Sequence, residues 1–414
     1  MSKPIKACRI CGNTKLVKVL DLGNQFLTGV FPKTKNQKIS CGPLQLLKCH
    51  EDLVNKNICG LLQISHDYDL DEMYGDNYGY RSGLNPSMVS HLNEKVSHIL
   101  KMVILSDNDL VIDIGSNDST TLQAYPNHKC NLVGIDPTGK KFSRYYPSHI
   151  KLIPDFFSLD IARKHLGNKK AKVITSFSMF YDLDKPLDFM HEVSNMLADD
   201  GIWVFEQSYM PTMLECNSYD TVCHEHKEYY GLQQIKWMTD KVGLRIVDIQ
   251  FNKVNGGSFS VTAAHSTSDY KSYPQLKQLL DEEINKSLNT LEPYLEFSKR
   301  VEKLRLNLIS FLNQAKAKGK IVGALGASTK GNVILQYCNI TEKEVSFVGE
   351  VNVDKYESYT PGTLLPIISE EILLSKNPDY LIVLPWHFKD FFIKNKKFDS
   401  SKLIFPLPNM DYSI

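Results

Sequence analysis

Short apolar runs alternate with amphipathic stretches along the middle of this chain. From residue 109 to about residue 264, the runs have the length of buried strands, and the stretches between them carry apolar residues at helical spacing. This alternation is typical of an α/β domain with a mostly parallel sheet covered on both faces. The predicted strands cover residues 109–114, 131–136, 151–154, 172–177, 201–207, 243–250 and 257–264.

The flanking regions have different patterns. A helix is predicted from about Pro86 to Leu105, and the stretch from 268 to 318 carries Glu and Lys throughout, which predicts one or two bridging helices. A second α/β unit follows, with predicted strands at 320–325, 345–350 and 379–385. The predicted division is an N-terminal module, a central α/β domain, a helical bridge and a C-terminal α/β domain, at residues 1–72, 73–267, 268–318 and 319–414.

Size and charge narrow the classes of function. The 414 residues are enough for two or three domains. Because 48 basic residues oppose 47 acidic ones, no charge excess points to nucleic acid or to an anionic membrane. The first residues contain no apolar signal segment, and no run of 18 apolar residues occurs. We expect a cytoplasmic protein without nucleic-acid or membrane partners; a monomer is compatible with the sequence, which leaves the oligomeric state open.

A glycine follows the first central strand and points to a cofactor loop. Gly115 has no side chain, so the backbone can approach a ligand closely, and the polar residues after it can hydrogen-bond that ligand. The next strand ends in Asp136, 21 residues after the glycine. That spacing is typical of an acid that binds ribose hydroxyls, so the cofactor is expected to carry a ribose.

The same loop argues against a dinucleotide. Asn117 and Thr120 stand where a dinucleotide loop needs its second and third glycines, and acidic Asp118 would repel a diphosphate. S-adenosylmethionine carries no phosphate, and its sulfonium and ammonium groups suit the carboxylates of Asp113 and Asp118. We therefore predict S-adenosylmethionine as the cofactor; the alternative is an ordinary strand end of a doubly wound sheet.

Further candidates follow the other strands, because ligands of such sheets lie beyond the carboxyl ends of the strands. Asp155 precedes two phenylalanines that could stack on an adenine while the acid accepts a hydrogen bond from its amino group. Ser178 follows the fourth strand. The candidate cofactor-binding residues are Gly115, Ser116, Asn117, Asp118, Asp136, Phe156, Phe157 and Ser178.

Cysteines are concentrated near the N-terminus. Cys8 and Cys11 form a knuckle of the kind that places two thiolates on one zinc ion, and a second pair must complete the tetrahedron. The candidates for that pair are Cys41, Cys49, His50 and Cys59, of which we favour Cys49 and Cys59. Four protein ligands would leave no position for a substrate, so the zinc would be structural. Buried free thiols are the alternative.

The segment from Asn217 to Tyr230 is denser in polar and aromatic side chains than a connecting loop needs. Two histidines, His224 and His226, flank Glu225. A zinc site is one interpretation, but the spacing is not that of a zinc protease helix and no fourth ligand is evident. General base chemistry suits the segment better, because histidine titrates near neutral pH and a neighbouring carboxylate can hold its tautomer.

Two other loops are candidates for substrate binding. Tyr78 and Tyr80 lie in a glycine-rich loop that could cover the cofactor or the substrate, or could serve only in packing. Lys330 and Asn332 follow a strand of the second α/β unit. A lysine at a helix start, with backbone N–H groups beside it, would hold a phosphate well, although an ordinary strand–helix turn has the same appearance.

Taken together, these motifs resemble the S-adenosylmethionine-dependent sugar C-methyltransferases that act on nucleotide-linked keto-deoxysugars. The resemblance spans nearly the whole chain, and the order of its landmarks is specific. The landmarks are Cys8–Gly12, Cys59–Gln63, Tyr78–Ser82, Ile114–Asp118, Tyr219–His226 with Tyr229 and Tyr230, Gly256–Ser258, Gly326–Asn332, Pro361–Thr363 and Leu384–Trp386.

The resemblance implies a small zinc-binding module, a central class I methyltransferase-like sheet and a C-terminal Rossmann-like domain. It also implies methylation of a carbon next to a sugar ketone, which requires a base, an oxyanion donor and fixed alignment. By the matching motif, His226 would be the base and Glu225 its electrostatic partner, while the Lys330 loop would help to hold a nucleotide diphosphate. The candidate catalytic residues are His226, Glu225, His224, Tyr219 and Asp182.

Two residues depart from the family pattern. The family usually has tyrosine at the position of Cys223 and histidine at that of Asp182. Because a thiol is a poor hydrogen-bond donor, the enolate would need another donor, such as Tyr181, Tyr219 or Tyr229. Alternatively, the enzyme methylates an oxygen, for which a histidine base is sufficient.

Two rival functions come from other classes. An NAD-dependent sugar oxidoreductase could use the turn from Gly323 to Gly326, but this leaves the acidic first loop unexplained. A zinc-ribbon binding module would not need the His-Glu-His segment, and the balanced charge argues against it. The sequence specifies neither the sugar, the nucleotide nor the ring position.

Overall fold

The computed structural model describes residues 2–51, 57–69, 72–73, 81–126 and 130–410. The N-terminal part consists of short strands. In the third of them alternate side chains are buried, as expected of a strand with one covered face. These strands are β1 (Lys3–Pro4), β2 (Leu16–Phe26), β3 (Cys41–Cys49), β4 (Leu62–Ile64) and β5 (His66–Asp67).

The central domain contains the predicted doubly wound sheet. The strands of this part of the chain are β6 (Leu110–Ile114), β7 (Asn131–Ile135), β8 (Ile150–Ile153), β9 (Ala171–Phe177), β10 (Leu197–Ser208), β11 (Glu228–Tyr229), β12 (Leu244–Asn252) and β13 (Ser258–His265). Seven of them form one sheet in the order β12-β13-β10-β9-β6-β7-β8. The five strands from β10 to β8 run parallel, and β13 lies antiparallel between β10 and β12.

The remaining strand, β11, leaves the central sheet. It pairs antiparallel with β4, so the N-terminal sheet has the order β11-β4-β3-β2. The segment that carries His224 and His226 is therefore attached to the N-terminal module as well as to the central domain.

Helices cover the central sheet on both faces. The first begins at Pro86, where Asn85 caps the backbone N–H of Ser87, and it buries Leu92 and Val96 at the spacing of one helical face. It ends at Met102, three residues before the predicted end. The helices of this domain are α1 (Pro86–Met102), α2 (Thr120–Gln123), α3 (Gly139–Phe142), α4 (Leu159–Leu166), α5 (Pro186–Met196), α6 (Met210–Glu215) and α7 (Leu232–Lys241).

A second parallel sheet forms the C-terminal domain, in the order β16-β15-β14-β17-β18. Two helices precede it, as predicted for the bridge. The elements are α8 (Leu276–Asn285), α9 (Glu292–Ala317), β14 (Val322–Leu325), α10 (Thr329–Tyr337), β15 (Val348–Glu350), β16 (Ile367–Ser369), α11 (Glu370–Ser375), β17 (Tyr380–Val383), α12 (Lys389–Lys394) and β18 (Leu403–Ile404).

One hydrophobic core joins the parts of the chain. Phe297 and Phe311 of α9 are buried in the same cluster as Leu46 of β3 and Ile334 of α10. The bridge therefore packs between the N-terminal sheet and the C-terminal sheet instead of acting as a spacer, and the exact domain boundaries stay a prediction. Among the described residues, no helix is long and apolar enough to cross a bilayer.

Candidate active site

The four predicted zinc ligands come together in the N-terminal module. The Sγ atoms of Cys8, Cys11, Cys49 and Cys59 all lie within 4.8 Å of one another. Gly12 makes the knuckle possible, because it adopts a φ of +72° that favours glycine and donates its N–H to the Cys8 carbonyl at 2.9 Å. Four thiolates at this spacing fit one tetrahedral zinc ion and leave no position for a substrate.

A cavity of about 300 Å³ opens beyond the carboxyl ends of the parallel strands β6, β7, β9 and β10. Most of the predicted cofactor-binding residues line it, together with apolar groups such as Ile135 and Phe177. The predicted residues in its wall are Gly115, Ser116, Asn117, Asp136, Phe156, Phe157 and Ser178. The strand ends thus collect residues that are up to 63 positions apart in the sequence.

Asp136 stabilises the loop that follows Gly115. One carboxylate oxygen accepts a hydrogen bond from the Asn117 backbone N–H at 2.7 Å, and the other accepts from the Thr138 N–H at 2.6 Å. Gly115 has a φ of +73°, and a Cβ atom there would lie only 3.0 Å from Cγ of Met179. The acid and the glycine therefore shape this wall of the cavity together.

Asp118 points in another direction. Its carboxylate accepts from the Gly83 N–H at 3.0 Å and lies 3.9 Å from the Arg81 guanidinium. It is not among the residues that line the cavity. The expected contact between Asp118 and a cationic cofactor therefore stays a prediction, while Asp113, a cavity residue, is fully buried and has its pKa raised to about 7 by burial.

His226 is held as a potential base. Its Nδ1 lies 2.9 Å from the Thr221 carbonyl oxygen, which can only accept a hydrogen bond, so the neutral ring carries its proton on Nδ1. Nε2 then keeps its lone pair. Burial, together with the nearby Lys330 ammonium, lowers the pKa of His226 to about 4, so the ring is neutral near pH 7.

The carboxylate expected to orient His226 lies elsewhere. The Glu225 side chain packs against the N-terminal module, where a Cβ on Gly29 would meet Glu225 Oε1 at 2.3 Å. The hydrogen-bond partner of His226 Nδ1 is a backbone carbonyl, that of Thr221. The tautomer of His226 is thus set by Thr221, and the electrostatic role expected for Glu225 stays a prediction.

Two further candidates contact other domains rather than a cavity. His224 is buried with its ring edge-on to Tyr68 at 4.5 Å between centroids, and burial lowers its pKa to about 3. Tyr219 packs edge-on against Tyr337 of α10 at 5.5 Å. These contacts indicate structural roles for both side chains, and their catalytic roles stay predictions.

A loop after β9 connects His226 with the large cavity. Ser178, Asp182 and Asp184 line that cavity, while Tyr181 lines a much smaller one of about 10 Å³ together with His226. The Tyr181 and His226 rings lie 4.4 Å apart between centroids, and the Lys227 N–H donates to the Tyr181 carbonyl at 2.7 Å. The proposed base and the proposed cofactor site therefore lie on two sides of one short loop.

The candidate substrate-binding residues contact different parts of the protein. Lys330 reaches across to the central domain and donates to the Asn255 carbonyl at 2.9 Å. Asn332 is buried and donates to the Thr28 carbonyl at 2.7 Å, so its amide faces the N-terminal module rather than a ligand. Tyr78 and Tyr80 lie outside the described residues.

The residue after the turn proposed to bind NAD forms hydrogen bonds within the protein itself. Glu350 ends β15, where a Rossmann-like sheet would present an acid to ribose. Its carboxylate instead accepts from the Ala327 N–H at 2.8 Å, and Lys355 donates to the Ala327 carbonyl at 2.7 Å. These contacts argue against a dinucleotide at this loop.

Sequence reasoning missed Glu228 in the wall of the small cavity. This carboxyl is fully buried, 3.6 Å from the Arg9 guanidinium of the zinc knuckle, and burial raises its pKa well above the usual value. The signal that could have revealed it is an acid directly before the aromatic pair Tyr229–Tyr230. Its partner Arg9 lies more than 200 residues earlier, so the contact itself could not be read from the sequence.

Comparisons with known proteins match the chain in three successive parts. The matched families are described as "Putative zinc binding domain" over residues 8–74, "Methyltransferase domain" over 88–249 and "C-methyltransferase C-terminal domain" over 253–408. The chain is a methyltransferase and is similar to C-methyltransferases along most of its length. S-adenosylmethionine is the methyl donor of this enzyme, and zinc is the metal of its N-terminal module, as the sequence motifs predict.

The chain is similar to one curated protein over nearly its whole length and to solved structures over part of it. C-methyltransferase NovU of Streptomyces niveus is 28% identical over 412 residues, which are 98% of this chain and 96% of NovU. Solved structures match over part of the chain. The CcbJ methyltransferase from Streptomyces caelestis is 11% identical over 42% of this chain and 89% of CcbJ, with a TM-score of 0.33. An S-adenosylmethionine-dependent methyltransferase from Clostridium acetobutylicum is 11% identical over 43% of this chain and 92% of that one, with a TM-score of 0.35.

Proposed function

We propose that this C-methyltransferase methylates a ring carbon next to the ketone of a nucleotide-linked keto-deoxysugar, with His226 as the base. The observation that carries the proposal is the position of the neutral His226 ring, which lines the small cavity with Tyr181, while the next residue, Asp182, lines the cofactor cavity. A neutral imidazole beside a methyl-donor site is what proton removal from a carbon acid requires.

Within the proposal, S-adenosylmethionine supplies an electrophilic methyl group in the large cavity. Gly115 and Asp136 shape the part of the wall that would hold the ribose and methionine portions. His226 Nε2 would accept the proton of the sugar carbon, while the Thr221 carbonyl keeps the Nδ1 proton in place and stabilises the imidazolium that forms.

The developing enolate oxygen needs a donor, because Cys223 stands where the family usually has tyrosine. Of the three tyrosines considered, Tyr219 lines neither cavity, and the Tyr229 hydroxyl already donates to the Thr221 carbonyl at 3.2 Å. Tyr181 lines the small cavity and stacks edge-on with His226. We therefore assign the donor role to Tyr181.

The nucleotide part of the substrate would reach Lys330. An ammonium group has three donors, of which the Asn255 carbonyl takes one, so two are available for phosphate oxygens. The position of Lys330 between the domains, within electrostatic range of His226, supports a substrate that spans both.

Solvent exchange and product mass together test this function. The protein is incubated in D₂O with a pool of nucleotide-linked keto-deoxysugars. Deuterium should enter one sugar C–H position without cofactor, and one methyl group should be added when S-adenosylmethionine is present. A methyl increment without any deuterium incorporation would indicate that the enzyme methylates an oxygen and not a carbon. A pool that gains neither label would contradict the proposed substrate class.

Cofactor binding gives an independent prediction. We expect Asp136→Ala to weaken S-adenosylmethionine binding about 10- to 100-fold, since a hydrogen bond to a charged group contributes about 1.5–3 kcal/mol. Isothermal titration calorimetry measures the change. Asp107→Ala is the matched control, because this exposed acid lies at the opposite end of β6. Equal affinities of both variants for S-adenosylmethionine would show that Asp136 does not contribute to cofactor binding.

A further inference from the structure

One of the contacts between the C-terminal domain and the segment around His226 is made by a tryptophan. Trp386 follows β17 and is 8% exposed, and its indole Nε1 donates a hydrogen bond to Asp220 Oδ2 at 2.9 Å. Asp220 is itself buried, at 1% exposure. A direct polar contact therefore connects two residues that are 166 positions apart and belong to different domains.

Asp220 occupies the middle of the tight turn from Tyr219 to Thr221. The Thr221 carbonyl at the end of this turn accepts the hydrogen bond from His226 Nδ1 at 2.9 Å. The orientation of that carbonyl depends on the turn, and the turn is tied to the C-terminal domain through the Asp220 side chain. Trp386 and His226 are thus connected through two hydrogen bonds and the peptide link between Asp220 and Thr221.

Packing alone does not require an acid at this position. Burying a carboxyl group costs free energy unless it is hydrogen-bonded, and an apolar side chain would fill the same space without that cost. The pKa of Asp220 is raised by burial, and the charge of Lys330 and the indole of Trp386 limit the rise. Both of these residues come from the C-terminal domain, which indicates that the domain recognises this turn specifically.

We propose that Trp386 is a positioning residue: through Asp220 it holds the Thr221 carbonyl where His226 must keep its proton on Nδ1 and present Nε2 to the substrate. The C-terminal domain would then do more than bind the nucleotide part of a substrate. It would set the tautomer of the base that lies in the neighbouring domain. The inference rests on the proposed function only in calling His226 the base.

Histidine NMR tests the inference without any substrate. The full-length, zinc-loaded protein is labelled with ¹⁵N-histidine, and the His226 signals are assigned by their loss in His226→Asn. In the wild type we expect the Nδ1–H tautomer to dominate near pH 7. In Trp386→Phe, which keeps an aromatic ring but lacks the indole donor, the ratio of Nε2–H to Nδ1–H should rise about fivefold or more.

Matched variants separate positioning from general loss of packing. Trp237→Phe, at a half-buried tryptophan on α7, should leave the His226 tautomer unchanged. Asp220→Ala should shift it as Trp386→Phe does, and Asp220→Asn, which retains an acceptor oxygen, should shift it much less. If the two groups act through each other, the double variant should equal either single variant. The Asp220→Ala and Asp220→Asn variants still test the inference if Trp386→Phe does not fold.

Unchanged His226 signals in folded Trp386→Phe and in Asp220→Ala would overturn the inference. An effect that is additive in the double variant would also overturn it, because the two groups would then act independently. The proposed function fails on a different result: normal methyl transfer by His226→Asn. The two failures can therefore be distinguished.

Discussion

His226→Asn should lower the turnover number about 10²- to 10⁴-fold, which is the contribution typical of a positioned general base. The amide of asparagine has no basic lone pair near neutral pH, so it cannot accept the proton of the sugar carbon. Affinity for S-adenosylmethionine should remain unchanged, because His226 lines the small cavity and not the large one. Methyl incorporation followed by mass spectrometry measures turnover, and calorimetry measures the affinity.

His191→Asn is the matched control for this variant. It makes the same chemical change at an exposed position of α5 and should retain full turnover. The solvent-exchange step provides a second readout, since loss of the base should stop deuterium entry as well as methyl transfer. If His226→Asn turns over at the wild-type rate, the base lies elsewhere in the site.

Loss of zinc should have the largest effect on stability. Cys49→Ser removes one of four ligands, and structural zinc sites contribute on the order of 10 kcal/mol to the folding of small zinc domains. We expect the melting temperature of the N-terminal module to fall by more than about 10 °C. Differential scanning calorimetry and the zinc content per chain check this expectation.

The position of Cys49 in the fold predicts a second consequence of zinc loss. Cys49 ends β3, and β3 pairs with β4, which in turn pairs with β11, a strand that begins two residues after His226. Disorder in the module should therefore reduce turnover as well as stability. Cys41→Ser is the control, because this exposed cysteine is outside the cluster. A Cys49→Ser protein with one zinc per chain and wild-type melting would exclude Cys49 as a ligand.

Local patterns predicted the sheets well because a buried strand needs a run of apolar residues whatever surrounds it. The strand at 110–114 and its neighbour at 131–135 lie within one residue of their predicted bounds. The predicted strand boundaries were wrong where pairing with another strand sets them. β10 begins at Leu197 instead of 201, because an irregularity between Leu197 and Ile202 lets the strand start earlier beside β9. β11 was not predicted at all, since its partner β4 lies about 165 residues earlier.

That the candidate cofactor-binding residues would lie together could be predicted, because the carboxyl ends of parallel strands meet at one edge of the sheet. That rule placed Gly115, Asp136 and Ser178 in one cavity. It could not say that Asp118 turns away toward Gly83, because the direction of a loop side chain depends on its neighbours in space.

The order of motifs in the sequence determined the class of enzyme and its methyl donor, because both depend on residue types in a characteristic order. For zinc it determined the Cys8–Cys11 knuckle and left the second pair to be chosen among Cys41, Cys49, His50 and Cys59. The tertiary structure alone decided which group orients His226, where Lys330 points and that Trp386 contacts Asp220. The Lys330 and Trp386 contacts join residues from separate domains, and all three hydrogen bonds depend on distance and direction in space. Separation along the chain specifies neither.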